Sequence, residues 1–213
     1  MSVLSRRSAL PEEQRGRTRE AILAATRDLL ADGRAFAELS VGEISIGAGV
    51  SRPTFYAYFQ DKRDLVLSLG SELEADVRAV AGPWLRDEDD DLRATLDAVL
   101  HSFRTHGATL GAIVEAATYD PEVATFWRDF HEWFLVNAAE RARRADPALA
   151  AADAEALAYS LVWMTERCLT EHLSAQRVEE EPLLNAIERL WRSAIPAAGA
   201  PLNRARVVRP PSA

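Results

Sequence analysis

The sequence predicts an all-α protein, and three observations lead to this prediction. Apolar residues recur three and four positions apart along most of the 213 residues, as on one face of a helix. No segment alternates apolar and polar residues in the manner of a half-buried strand. Glycines, prolines and capping residues divide the chain into about nine helical segments.

Composition is that of a folded globular protein, with 48% hydrophobic and 27% charged residues, and it excludes wholesale disorder. No apolar run reaches the roughly 18 residues that a membrane-spanning helix needs. The first residues lack the apolar core of a signal peptide. Cys168 is the single cysteine and cannot form an internal disulfide, so we expect a cytoplasmic protein.

The first helix is expected from about residue 17 to residue 32, because Ile22, Leu29 and Leu30 lie on one face and Gly33 follows as a stop. Two short helices separated by a glycine turn come next, in the segment SVGEISIGAGVSRPTFYAYF.

Capping signals define both short helices. Ser40 and Glu43 have the spacing of a capping box, which satisfies free amide donors at a helix start. Gly49 can adopt the left-handed conformation that ends the first of the two helices. Ser51 is the N-cap of the second helix, and Pro53 lies in its first turn, where a missing N–H breaks no hydrogen bond.

Phe55 and Phe59 are four residues apart and predict the buried side of the second short helix. The polar residues between and before them then face other directions. Two helices in this arrangement can enter the major groove of DNA. An ordinary helical hairpin has the same caps and the same glycine, so the spacing alone leaves both interpretations open.

The string SRPTFYAYF followed by DKRDLV resembles the TetR family of one-component bacterial regulators, and most of all its EthR-type branch. The family pattern Tyr-x-x-Phe corresponds to Tyr56–Phe59, and a lysine soon follows, here Lys62. Ser45 stands where the family often has alanine, and its small hydroxyl should fit. The motif covers about the first third of the chain. The resemblance implies a DNA-binding domain over residues 1–64 and a ligand-binding and dimerisation domain over residues 65–196. The prolines Pro201, Pro210 and Pro211 predict a disordered tail at 197–213.

The implied DNA contacts lie on the second short helix and at the start of the next one: Ser51, Arg52, Pro53, Thr54, Tyr56, Tyr58 and Lys62. Arg52, Thr54 and Tyr56 would contact bases or the adjacent backbone, while the remaining hydroxyls and the ammonium of Lys62 would hold phosphates. Lys62 is the only lysine in the chain.

Charge is divided unevenly along the chain, whose net charge is −8. Residues 1–63 hold ten basic and eight acidic side chains, whereas residues 64–213 hold 15 and 25. The basic part contains the proposed phosphate-binding module. Its arginine-rich start either reaches DNA or is a flexible solvated tail, and includes Arg6, Arg7, Arg15, Arg17 and Arg19.

Six further helices are expected. The fourth helix would run from Asp61 to the Gly82-Pro83 pair, and the fifth begins near Leu92. Breaks at Gly107 and Gly111 precede a short helix that ends near Tyr119. The last three are expected over about residues 121–144, 152–175 and 182–195.

Large aromatic residues are frequent in the C-terminal two thirds, and periodicity alone favours a plain hydrophobic core. The family resemblance implies an apolar ligand cavity instead, with a small apolar effector as partner. Its expected lining residues are Phe103, Trp127, Phe130, Phe134, Asn137, Trp163 and Thr165. Thr165 stands where EthR-like relatives offer an asparagine to their ligand, so a different ligand is expected.

One apolar face of the last helix is expected to contact a second copy of the chain: Leu183, Ile187, Leu190 and Trp191. Burial within a single chain is the alternative. The resemblance implies a four-helix bundle across a two-fold axis, and a homodimer can read a palindromic operator.

Enzymatic and metal-binding interpretations have little support. His101 and His106 are five residues apart, which is unsuited to chelation on one helix face. Cys168 lies on an apolar stripe, and the acidic run after Arg86 is best explained as a solvated loop. No cofactor, metal or catalytic residue is predicted. We therefore expect a ligand-responsive transcriptional regulator, more specifically a repressor; the alternatives are a regulator without an effector and a helical enzyme or carrier.

Overall fold

A computed structural model describes residues 12–195, and within this range it contains nine α-helices and no strand, which confirms the predicted all-α class. Arg6, Arg7 and the tail at 197–213 lie outside the described residues. The helices are α1 (Glu12–Ala31), α2 (Val41–Gly47), α3 (Arg52–Tyr56), α4 (Lys62–Leu85), α5 (Leu92–Thr105), α6 (Gly107–Ala116), α7 (Pro121–Ala145), α8 (Ala151–Ala175) and α9 (Glu180–Ala194). A 3-10 turn, Phe36–Glu38, precedes α2. In the described range no helix combines the length and apolarity required to span a membrane.

The chain divides into two compact units. Among the described residues, the head unit consists of 12–73 together with Ala108–Trp127, so it includes the first three helices, the first half of α4, α6 and the start of α7. The body unit consists of Glu74–Gly107 together with 128–195.

In the head unit, α1 packs against α2, and α2 against α3, around fully buried side chains that include Ile22, Ile44 and Phe55. The helix α1 begins earlier than predicted, at Glu12, so the arginines at positions 15, 17 and 19 are helical and exposed. Acidic residues in a first turn favour a helix start through the helix dipole. The side chain of Ile46 in α2 is 82% exposed.

The helix α4 does not end at the Gly82-Pro83 pair, as predicted, but continues to Leu85. Arginines of α7 satisfy the carbonyl groups at its C-terminal end. Arg141 is buried and donates to the carbonyl oxygen of Trp84, and Arg144 donates to that of Leu85 at 2.7 Å. The guanidinium of Arg141 also lies over the Trp84 ring, 3.8 Å from its centroid.

Acidic residues of the run after Arg86 form hydrogen bonds within the body unit. Asp87 accepts hydrogen bonds from both Arg141 and Arg144, and Asp91 caps α5 by accepting from the amide of Ala94 at 2.9 Å. A second glycine prediction is wrong, because Gly111 lies within α6 rather than at a break.

The face of α9 that was predicted to contact a partner is divided between core and surface. Ile187 and Trp191 are 2% and 5% exposed because α9 packs against α5 and α8. They share a stripe with Leu184 that is buried within this single chain, which does not favour their assignment to a dimer interface. Leu190 is 49% exposed and Leu183 is half-buried, so these two remain available to a partner.

The capping box that begins α2 makes a pH-dependent contribution to stability. Hydrogen bonds from the Ser40 side chain and backbone, followed by one from Arg34, lower the pKa of Glu43 to about 2. A depressed carboxyl pKa stabilises the fold above the pKa of the unfolded chain, about 4.3, and this contribution is lost as pH falls toward the folded value.

We predict that Glu43→Ala lowers the free energy of unfolding at pH 7 and that its difference from wild type shrinks between about pH 4.5 and 2. Urea unfolding monitored by circular dichroism at several pH values measures this. A difference that stays constant down to pH 2.5 would contradict the assignment of the pKa shift to the capping box.

Candidate nucleic-acid interface and body cavity

The start of α2 is fixed by reciprocal hydrogen bonds. The hydroxyl of Ser40 accepts from the amide of Glu43 at 3.2 Å, and the Glu43 carboxylate accepts from the amide of Ser40 at 2.9 Å. Gly49 has φ +65°, a left-handed conformation that side chains disfavour, and the amide of Val50 closes the turn by donating to the carbonyl of Ser45 at 2.9 Å.

The helix α3 has only five residues and is held by its cap and its core contacts. The Ser51 hydroxyl accepts from the amide of Thr54 at 3.1 Å, and the two side-chain oxygens are 2.8 Å apart. Phe55 and Phe59 are buried with ring centroids 5.7 Å apart. One side of α3 is therefore fixed in the head unit, and the other is left for contact with a partner.

The predicted contact residues of α3 differ in what they can offer. Arg52, Pro53 and Tyr56 are exposed, whereas Thr54 and Tyr58 are half-buried. The hydroxyls of Ser51 and Thr54 already interact with each other. Within residues 12–195, no protein group bonds the guanidinium of Arg52 or the hydroxyl of Tyr56. These two exposed side chains of α3 therefore offer hydrogen-bonding groups that no described protein group occupies.

Gly42 determines where the guanidinium of Arg52 lies, and sequence reasoning missed it. This glycine in the first turn of α2 is buried because Arg52 lies across it. A Cβ atom at position 42 would be 2.4 Å from Nη2 of Arg52 and 3.1 Å from Cζ. The absence of a side chain therefore allows the guanidinium to rest against α2.

Lys62 is bound inside the head unit rather than offered to a phosphate. Its Nζ donates to the carbonyl oxygens of Phe36, Ala37 and Leu39 at 2.9, 3.0 and 2.6 Å. Three donors meet three acceptors, so the ammonium has no hydrogen left for DNA in this structure. Burial lowers the pKa of Lys62, and the nearby carboxylate of Glu115 acts in the opposite direction. The expected phosphate contact of Lys62 is not supported by this geometry.

The body unit contains an apolar cavity of about 80 Å³. Four of the predicted ligand-binding residues line it, namely Phe103, Phe130, Phe134 and Thr165. The other lining residues were not predicted: Val77, Ala81, Trp84, Leu85, Leu92, Thr95, Leu96, Val99, His131, Val162, Glu166 and Trp191. Helical periodicity identifies such residues as buried but does not show which of them border a void.

Three predicted ligand-binding residues do not line the cavity. Asn137 donates from its side chain to the carbonyl of Trp133 at 2.7 Å, within its own helix. Trp163 stacks on the ring of His131, with centroids 4.1 Å apart. Trp127 belongs to the head unit.

Polar side chains in the cavity wall are Thr95 of α5, His131 of α7, and Thr165 and Glu166 of α8. The Thr165 hydroxyl accepts a hydrogen bond from the indole N–H of Trp191 at 2.7 Å and keeps its own proton for donation. Burial raises the pKa of Glu166, which favours the neutral acid beside an apolar space. The wall is thus mostly apolar, with a few polar side chains able to form hydrogen bonds.

Two family models match separate segments of the chain. A family model described as bacterial regulatory proteins, tetR family, matches residues 22–69. A second, described as transcriptional regulator EthR, C-terminal domain, matches residues 92–197. The HTH-type transcriptional regulator EthR of Mycolicibacterium smegmatis is 35% identical over 204 residues, which is 89% of this chain and 90% of that protein. The EthR of Mycobacterium tuberculosis is 32% identical over 202 residues, with 89% and 91% covered.

Solved structures share the fold at lower identity. Salmonella enterica GusR superposes with a TM-score of 0.66 at 19% identity, covering 88% of this chain and 99% of that chain. A putative TetR-family regulator from Syntrophomonas wolfei also has a TM-score of 0.66, at 16% identity with 86% and 95% covered. The chain therefore belongs to the TetR family of bacterial regulatory proteins, and it is a DNA-binding transcriptional regulator related to EthR.

Proposed function

We propose that this regulator is a cytoplasmic repressor that binds a palindromic operator as a homodimer and is released by a small apolar effector. The head unit would bind DNA, and the body unit would carry the effector site and the dimer interface. The observation that carries the DNA-binding part is the exposure of Arg52 and Tyr56 on a helix whose other side is fixed by Phe55.

In this proposal α3 enters the major groove. The hydroxyl of Tyr56 would reach a base edge or the adjacent backbone, and Pro53 would pack beside it. Arg52 rests against α2, which favours a phosphate at the groove edge over a base at its floor. Ser51 and Thr54 form the cap that holds α3, and Tyr58 would contact the backbone from the half-buried side.

A second copy of the chain is proposed because a five-residue helix reaches few base pairs. Two copies spaced by about one helical turn read a palindrome. Tyr159 of α8 and Leu190 of α9 are 59% and 49% exposed and supply apolar surface for a partner. Burial of such side chains in a symmetric interface would contribute to association.

The operator can be found by selecting duplexes from a random library with the wild-type chain. We expect the selected duplexes to share an inverted repeat, and we expect sedimentation to show two protein chains bound to each operator. Tyr56→Phe should bind the operator about fivefold more weakly, because it loses one hydrogen bond. Tyr119→Phe is the matched control, because Tyr119 is 55% exposed against 56% for Tyr56 and lies outside α3. Selection of no common sequence, or equal binding by both variants, would refute the proposed role of α3.

Gly42→Ala tests the placement of Arg52. Alanine has the higher helix propensity, so the variant should unfold at equal or higher urea concentration. The added methyl group displaces the guanidinium, so operator affinity should fall by about threefold to tenfold, with little further effect in an Arg52→Ala background. Gly16→Ala is the control, because nothing lies within 4 Å of a Cβ added there. Equal losses in the presence and absence of Arg52 would show that Gly42 acts in another way.

The effector would be mostly apolar and carry one hydrogen-bonding group for Thr165 or Glu166. A cavity of about 80 Å³ is small for such a molecule, so side chains of the body unit must move to admit it. Only a ligand that binds better to the DNA-free conformer can weaken operator binding. The small cavity equally supports the second candidate, a regulator that works without an effector.

A thermal-shift screen of apolar compounds, followed by operator titration, separates these candidates. We expect compounds that raise the melting temperature to weaken operator binding, and the operator to weaken compound binding by the same factor. Val162→Phe fills the cavity and should abolish the shift, whereas Val136→Phe, at a position 44% exposed on α7, should retain it. The absence of any stabilising compound, or of coupling, would favour the effector-free regulator.

A further inference from the structure

The turn that leads into α2 is held from two sides by charged groups. Phe36 and Leu39 are 3% and 2% exposed, and the turn ends one residue before the Ser40 cap. Its polar backbone groups are therefore close to the hydrophobic core and need partners. One set of partners is the ammonium of Lys62, which takes three of the carbonyl oxygens.

The amide side of the same turn is held by Glu115 of α6. One carboxylate oxygen accepts from the amide of Phe36 at 3.0 Å, and the other accepts from the amide of Ala37 at 2.9 Å. These N–H groups begin a 3-10 turn, where no earlier carbonyl is available to them. A carboxylate is well matched to two adjacent donors at a helix start because its charge strengthens both hydrogen bonds.

The two side chains together fix the turn to two different helices. Lys62 is the first residue of α4 and lies 26 positions from Phe36 in sequence, whereas Glu115 is near the end of α6, 79 positions away. A change in the position of α6 within the head unit would displace this turn first. The helix α2 begins at its end, and α3 follows α2 across a glycine turn.

We propose that Glu115 is a positioning residue for DNA binding, which sets the location of α2 and α3 by holding the turn Phe36–Leu39 to α6. It contacts no DNA itself in this proposal. The inference rests on DNA binding by the head unit. It assigns to α6 a direct role in the affinity for operator, separate from any effector site in the body unit.

Electrostatics alone predicts the opposite change in operator affinity from the one that this proposal predicts. Removing a carboxylate makes the head unit less acidic, and this alone should strengthen binding to the phosphate backbone. A loss of operator affinity on neutralising Glu115 must therefore come from altered geometry. Binding to random duplex, which depends on charge and little on the placement of α3, should not fall.

The test compares Glu115→Gln with Glu38→Gln in the full chain. Glu38 lies in the same turn, is exposed, and its side chain forms no hydrogen bond or ion pair with another described residue, so both variants lose the same charge at nearly the same place. The amide of glutamine can accept from one N–H but presents donors to the other. We expect Glu115→Gln to bind the selected operator about fivefold to tenfold more weakly than Glu38→Gln, with equal binding to random duplex.

Hydrogen exchange provides a readout at the contact itself. The amides of Phe36 and Ala37 should exchange faster in Glu115→Gln, while amides in the interior of α5 and α9 should be unchanged. If urea unfolding shows that Glu115→Gln is destabilised, Glu115→Asp replaces it, since this variant retains the charge but retracts the carboxylate by one methylene; the same loss of operator affinity is then expected.

Two results would overturn the proposal. One is operator binding by the Glu115 variant that is as tight as that of Glu38→Gln; the other is an equal loss of binding to operator and random duplex. Failure of the wild-type chain to select any operator would instead count against the proposed function, and the exchange of the two amides would still test whether Glu115 holds the turn.

Discussion

The shortness of α3 is the constraint on which the DNA-binding surface depends. Its five residues and the seven of α2 are far below the roughly 12–15 residues at which an isolated helix becomes stable in water. Their conformation must therefore be imposed by caps and by burial. Ser51 satisfies the start of α3, while Phe55 and Phe59 fix its inner side. The outer side can remain polar and free of intramolecular contacts because the inner side supplies the stability.

Two charged side chains of the head unit form their hydrogen bonds within the protein. Lys62 is fully hydrogen-bonded to backbone carbonyls, and Glu115 to backbone amides. A buried backbone N–H or C=O group without a hydrogen-bond partner costs free energy. A turn near the core is therefore stabilised by charged side chains that reach its backbone groups. Arg52 remains exposed, and the space above Gly42 determines where its guanidinium lies.

In the body unit, Trp191 forms contacts that link the helices around the cavity. Trp191 joins α9 to α8 through its hydrogen bond to Thr165 and packs edge-on against Trp84, with centroids 5.4 Å apart. These contacts place it beside the cavity. The same hydrogen bond occupies one lone pair of the threonine that a ligand would approach. Stability of the body and access to its cavity are therefore linked through one side-chain pair.

The sequence by itself determined the helical segments and their local signals. The Ser40–Glu43 box, the left-handed Gly49 and the cap at Ser51 could all be predicted, since each acts on groups within a few residues of itself. The family motif likewise identified α3 as the helix expected to contact DNA. Only the tertiary structure decided that Lys62 and Glu115 hold the turn at Phe36, that α4 continues past Pro83, and that Ile187 and Trp191 face inward. The donor and acceptor residues of the hydrogen bonds that fix these features are 26 to 79 positions apart in the sequence. Packing of the folded chain determines which of many residues of the same type come into contact. An apolar stripe or a charged side chain specifies the kind of partner it needs, but its position in the folded chain specifies which one it meets.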